Sequence, residues 1–195
     1  MPRLLITGFD PFGGETMNPA WEAVSRLPDE VGPWTLTKVQ IPTVFGEASR
    51  VVLAAAEEAK PDVIICVGQA GGRKAVTPEM VGINLRHASL ADNAGNQPQD
   101  QPVAENGPAA YFTTLPVRRM TEAIAQAGIA ASVSYSAGAF VCNDTLYTLL
   151  NRYDGTAVRA GFIHVPFLPQ QAPEGVPSME LADIVRALEA AILAL

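Results

Sequence analysis

Short β-branched runs alternate with stretches of helical period along this chain. Residues 3–9 (RLLITGF), 35–41, 62–67 (DVIICV), 132–135 and 161–165 (GFIHV) read as strands, and most are apolar on both sides, the pattern of strands covered on both faces. Between them Val44, Phe45, Ala48, Val51, Val52, Ala55 and Ala56 recur at helical spacing. Asn18 before Pro19 starts a helix that runs to Leu27, Pro116 opens another that ends near Gly128, and Ser178 is expected to cap a last helix. That helix would place Leu181, Ile184, Val185, Leu188 and Ile192 on one face. The alternation predicts an α/β protein, a three-layer α/β/α sandwich around a mostly parallel twisted sheet. No repeat or linker divides it, so residues 1–195 are expected to form a single domain.

One region breaks the pattern. Residues 68–107 are rich in glycine, proline and amides, with only residues 80–85 reading as a strand, and a loop of that length inside a compact domain is usually functional. In open α/β sheets ligands sit beyond the carboxyl ends of strands, which points to residues 8–14, 68–72, 137–142 and His164.

Composition narrows the partners. With 48% apolar and 17% charged residues the chain has enough material for a full core. Thirteen Lys and Arg against 20 Asp and Glu leave a net charge of −7, which gives no general attraction to nucleic acid or anionic lipid. No apolar stretch approaches the roughly 20 residues of a membrane span and no signal peptide is evident, so a cytoplasmic protein is expected. Two cysteines make no disulfide framework, and each must be explained as a thiol.

Cys142 falls where small residues give way to a helix carrying Leu146, Leu149 and Leu150, and a helix start is expected to lower a thiol's pKa. Cys66, inside IICVG, reads as a buried small hydrophobe. A nucleophilic thiol needs a base, and the candidates are His87, in an irregular polar stretch, and His164, which interrupts an apolar strand end. Cys142 with His164 is the economical pair. The imidazole needs an acceptor to fix its tautomer, and Glu79, just after the Gly-rich loop, is favoured over Asp10, Asp92 and Asp144. Residues 68–72 lack the spacing of either common phosphate-binding loop, and the thiols and imidazoles lack metal-ligand spacing. Phe9 and Phe12, among glycines, are candidate walls of a small pocket.

Taken in order, LLITGFDPFGGETMNPAWEA, GQAGGRKAVTPEMVGIN, DNAGNQPQDQPV, SYSAGAFVCN and GFIHVPFLPQQ closely resemble the pyroglutamyl peptidase type I family, also called pyrrolidone-carboxylate peptidases. The resemblance covers nearly the whole chain. It implies a cysteine exopeptidase that removes an N-terminal pyroglutamate, with Cys142 as nucleophile, His164 as base and acid, and Glu79 as orienting acid. It further implies a single catalytic domain of a fold related to nucleoside phosphorylases, no cofactor, and a homo-oligomer, a dimer or tetramer. The substrate's lactam ring asks for flat apolar walls and partners for one N–H and one C=O. Phe9 and Phe12 suit the walls, Gln69 suits the lactam edge, and backbone groups near Phe140 and Val141 are further partners.

The chain departs from the family pattern in places. Met80 follows Glu79 where the family usually has arginine, Val81-Gly82 replaces a Val-Ala pair, and Ser89 stands where the family usually carries arginine. Serine neither reaches as far nor carries charge. A partial loss of that arginine's role is expected, with nearby Arg86 contributing little. Two rival functions stand beside this one: a phosphorylase-like enzyme on the same fold, which should bind phosphate through arginines, and a binding protein that keeps the lactam pocket without turnover.

Overall fold

A computed structural model describes residues 1–195. Its six-stranded sheet contains β1 (Arg3–Phe9), β2 (Glu30–Val31), β3 (Trp34–Ile41), β4 (Val63–Gln69), β5 (Thr77–Pro78) and, last in the chain, β8 (Arg159–Val165), in the order β2-β3-β1-β4-β8-β5. The four central strands are parallel, and the short edge strands β2 and β5 run antiparallel to their neighbours. A separate ribbon pairs β6 (Val81–Ile83) with β7 (Ala110–Phe112).

Alternation along the strands builds two cores. Leu4 and Ile6 of β1, Val63, Ile65 and Val67 of β4, and Ile163 and Val165 of β8 face one layer of helices, α1 (Pro19–Arg26), α3 (Val117–Gln126) and α5 (Leu181–Leu193). Leu5, Phe9, Ile64, Cys66 and Phe162 face the other layer, α2 (Glu47–Ala59) and α4 (Val141–Tyr153). The α/β/α sandwich read from the sequence is therefore the observed fold. At α1 the Asn18 side chain accepts from Ala20 N–H, the capping bond that its place before Pro19 announces.

Three elements differ from expectation. Residues 132–135 form no strand and make one isolated bridge, Glu79 to Ser134, next to that of Val76 to Ala131. Their neighbour β5 is two residues long and contains Pro78, which has no N–H to extend a ladder. The strand expected over residues 80–85 shortens to β6 and leaves the main sheet for its ribbon. Ser178 caps nothing: it bridges Phe167, and Met179 N–H donates to Phe167 C=O, so the chain stays extended through Glu180 and α5 begins at Leu181.

Candidate active site

β4 and β8 lie side by side with Gly68 opposite His164. Phe162 and His164, two residues apart, share one face of β8, their ring centroids 4.7 Å apart, and that face is the one α4 covers. Helix α4 starts at Val141 with Phe140 at its cap and no side-chain capping bond, so its first N–H groups have no side-chain acceptor. Cys142 is its second residue. Its sulfur comes so close to the sheet that a Cβ on Gly68 would stand 2.9 Å from Sγ, and glycine alone leaves the space.

The acid arrives from the opposite edge. β5 runs antiparallel to β8 with Thr77 opposite His164, and Glu79 N–H donates to Phe162 C=O, which turns the fully buried carboxylate onto the ring. Glu79 Oε1 lies 2.6 Å from His164 Nδ1 and 2.7 Å from Arg73 Nη1. Arg73 also donates to Thr77 Oγ1 at 2.6 Å and to the Ser136 carbonyl at 3.0 Å. The second Glu79 oxygen, Oε2, has no hydrogen-bond partner.

Electrostatics follow from this packing. Burial pushes the Glu79 carboxyl up, but the bond and charge of His164, with Ser134 and Arg73, outweigh it and hold the group below its usual range. Burial lowers His164, and Arg73 adds to that, against the opposing pull of Glu79. The imidazole is therefore neutral at pH 7, with Nδ1–H on the carboxylate and Nε2 free to accept a proton. Cys142 contradicts the expected low pKa: burial, reinforced by the Glu79 charge, raises its thiol to about 12, more than the helix start offsets. Cys66 is likewise pushed to about 12 by burial and lies fully enclosed.

A cavity of about 220 Å³ opens at the thiol, lined by Phe9, Phe12, Asn18, Thr43, Gln69, Gly71, Phe140 and Cys142. It falls below the roughly 300–1,000 Å³ of pockets that hold drug-sized molecules and suits a single small ring. Phe140 is its central wall, 5.1 Å from the Phe12 ring and 5.2 Å, edge-on, from Phe45. Of the residues expected here, Phe9, Phe12, Gln69 and Phe140 line the cavity. The Val141 side chain does not: it is fully buried in the core beneath α4 and leaves only its backbone toward the site. Asn18 escaped the sequence reading as a cavity residue because its helix cap to Ala20 accounts for it locally, and Thr43 because its partner, Asp10, lies 33 residues away. A larger groove of about 640 Å³ flanks the acid, between Arg73 and residues 132–136.

The polar residues after Cys142 clamp α4. Buried Asn143 pairs with the backbone of Ile83 and Leu85, and buried Asp144 accepts from Gly46 N–H at 2.8 Å and Arg86 Nε at 2.5 Å. Arg86 thus braces the helix that carries Cys142, through Asp144. Asp10 is held by Thr43 and Asn93, and Asp92 by Phe45, Ala94 and Asn96, so neither meets a histidine. His87 pairs with Asp100 at the surface. Ser89 is exposed.

A family model described as "Pyroglutamyl peptidase" matches residues 2–195. The chain is 54% identical to a pyrrolidone-carboxylate peptidase of Levilactobacillus brevis, covering 99% of this chain and 97% of that one. It is 51% identical to one from Escherichia fergusonii, over 99% and 92%. Among solved structures, the pyroglutamyl peptidase I of Bacillus amyloliquefaciens superposes with a TM-score of 0.96 at 48% identity, covering 100% of this chain and 96% of that chain. The pyrrolidone carboxyl peptidase of Thermococcus litoralis does so with a TM-score of 0.94 at 35% identity, over 100% and 93%.

Proposed function

The chain belongs to the pyroglutamyl peptidase family of hydrolases, and from that membership we propose that Cys142, His164 and Glu79 cleave the peptide bond after an N-terminal pyroglutamate, within a single catalytic domain. The observation that carries the reading is the buried Glu79–His164 pair, with Gly68, opposite His164 on β4, packed against a thiol that opens into a small phenylalanine-walled cavity.

The steps follow from the protonation states. His164 Nε2 takes the Cys142 proton as Sγ attacks the scissile carbonyl carbon, so charge separates only as the bond forms. Backbone N–H groups at the start of α4 stabilise the oxyanion. The tetrahedral centre collapses, the imidazolium protonates the departing amine, and a thioester remains. Water then gives a proton to Nε2 and attacks the thioester, and expulsion of sulfur, reprotonated by His164, releases pyroglutamate. Throughout, Glu79 holds Nδ1–H and so keeps Nε2 toward the reaction.

Specificity rests on what the cavity contains. No carboxylate lines it, which suits a ring without a free amine. Gln69 Oε1 accepts from Gln171 Nε2 at 3.4 Å, so the Gln69 amide group is left to donate to the lactam carbonyl. Proline, lacking that carbonyl, leaves the donor unpaired and is rejected. The phosphorylase-like rival needs cations for phosphate, and no Arg or Lys lines this cavity. Need for a reduced thiol supports a cytoplasmic location, and no helix is long and apolar enough to cross a membrane. Association into a dimer or tetramer belongs to the same proposal and is read by sedimentation.

Hydrolysis of a pyroglutamyl arylamide beside the matching prolyl arylamide tests the reading. Cleavage of the first alone, independent of phosphate and lost in Cys142→Ser, is the expected result. Phosphate-dependent turnover, or lactam binding without turnover, would overturn it.

A further inference from the structure

We propose that Arg73 is a positioning residue of the hydrolytic site, its guanidinium fixing the Glu79 carboxylate on His164 while anchoring the loop that leads to Cys142. The inference rests on the triad reading above. Its basis is geometric. One guanidinium nitrogen, Nη1, donates to Glu79 Oε1 and to Thr77 Oγ1, and the other, Nη2, donates to the Ser136 carbonyl. Thr77 stands opposite His164 on the neighbouring strand, and Ser136 begins the short connection through residues 137–140 to the nucleophile's helix. A single side chain therefore ties the acid, the strand edge beside the base, and the approach to the nucleophile.

Glu79 needs such a partner. It is fully buried, its Oε2 is unpaired, and both of its direct bonds converge on Oε1. Without Arg73 the carboxylate, held through one oxygen by His164 with the Ser134 hydroxyl as its other polar neighbour, could rotate about that bond. The bond from Arg73 to the same oxygen removes this freedom, and a planar fork is better suited to doing so than a flexible ammonium. The Ser134 hydroxyl donates to the Ser136 carbonyl as well, so Arg73 and Ser134 meet on one acceptor beside the acid.

Arg73 also supplies charge. The charged and titratable groups facing the Glu79–His164 pair are Arg73, from the loop after β4, and Cys142, from α4. A cation here opposes protonation of His164 and favours the ionised form of Glu79. Removing it makes the imidazolium easier to form, so the acid limb of the rate profile moves to higher pH.

The test compares Arg73→Met and Arg73→Lys with the unaltered enzyme, measuring kcat and KM for a pyroglutamyl arylamide across pH, inhibition by 2-pyrrolidone, and melting temperature. Arg73→Met is expected to lower kcat by about 10- to 150-fold, the worth of a charge-assisted bond expressed in the transition state. Its acid limb should move up in pH while 2-pyrrolidone affinity stays within a factor of about two of the unaltered enzyme. Arg73→Lys, which keeps the charge and loses the fork, should retain the original acid limb with an intermediate kcat. Unchanged kcat and pH profile in Arg73→Met would overturn the proposal. So would equal, unshifted losses in both variants that track a fall in melting temperature, since that is a merely structural role. Cys142→Ser and His164→Ala are run alongside: if they stay active, the triad reading itself has failed, whereas their inactivity beside a normal Arg73→Met rejects this inference alone.

Discussion

Gly68 lies directly against the Cys142 thiol, and a single added carbon on it would stand 2.9 Å from Sγ and 2.8 Å from the Phe162 ring. Gly68→Ala is therefore expected to displace the sulfur from the base. Overpacking of this kind costs about 1–3 kcal/mol of stability. The loss of kcat should exceed what partial unfolding explains, and a melting curve recorded with the rate profile separates the two. A Gly68→Ala enzyme with normal kcat would show that the sulfur does not react from this position.

Alkylation should distinguish the two thiols by access. Both are raised to about 12, yet Cys142 opens into the cavity and Cys66 is sealed in the core. One equivalent of iodoacetamide should modify Cys142, abolish activity, and react more slowly when 2-pyrrolidone is present. Because burial holds this thiol protonated, the alkylation rate should keep rising above pH 9 without levelling near neutrality. Peptide mapping and a rate-against-pH series check both statements, and a plateau at pH 7 would reveal a preformed thiolate.

Activity should persist below the ordinary histidine pKa of about 6.5, because His164 is depressed and its neutral form is the base in the proposed mechanism. The rate then falls as pH drops through that lowered value. Glu79→Gln should lower kcat by about 10²- to 10⁴-fold through loss of the oriented tautomer, and leave 2-pyrrolidone binding intact. Competitive inhibition measured on the variant decides between orientation and binding.

Asp92 is 6% exposed and accepts five bonds, from Phe45 N–H, Ala94 N–H, Asn96 N–H and two from the Asn96 side-chain amide. Burial raises its carboxyl, but these donors outweigh it and hold the pKa below the usual 3.8. A depressed carboxylate stabilises the fold above its unfolded pKa, and that contribution vanishes as pH falls through the lower folded value. Asp92→Ala should cost about 1–3 kcal/mol at pH 7 in urea unfolding, with the difference shrinking toward pH 2. KM should rise too, because Phe45 braces Phe140.

Arg86→Ala should be damaging, contrary to what sequence position suggests. It would leave fully buried Asp144 without its cation, two residues from Cys142. A broken buried pair costs about 3–5 kcal/mol, and the partial exposure of Arg86 puts the expected loss near 3. Chemical denaturation checks it. Ser89→Arg, on an exposed loop, should by contrast leave stability unchanged.

Local chemistry was what the sequence conveyed well. Asn18 and Pro19 announce α1 because capping needs only neighbours, and the runs around Ile6, Ile64 and Ile163 announce strands because double-sided burial leaves no polar alternation. Non-local pairing was opaque. Whether Ser178 caps a helix depends on Phe167, and whether residues 132–135 form a strand depends on Pro78 across the sheet. Side-chain direction was similarly hidden, since the phase of α4 against the sheet sends Val141 inward and Cys142 to the cavity. The helix start near Cys142 was legible, but the dry surroundings that raise its thiol depend on residues from β4 and β8 and on Glu79 just after β5. Arg73 drew no attention because its bond to Glu79, six residues away, has neither helical nor strand spacing.

The strand order has a consequence for biosynthesis. β8 is the last strand to leave the ribosome, yet it inserts between β4 and β5, which precede it by about ninety residues of chain that must already be folded or held open. His164 rides on that strand, so a nascent chain carrying both Glu79 and Cys142 still lacks the imidazole that pairs with Glu79. Under the triad proposed above, hydrolytic competence therefore waits for the final strand to close the sheet.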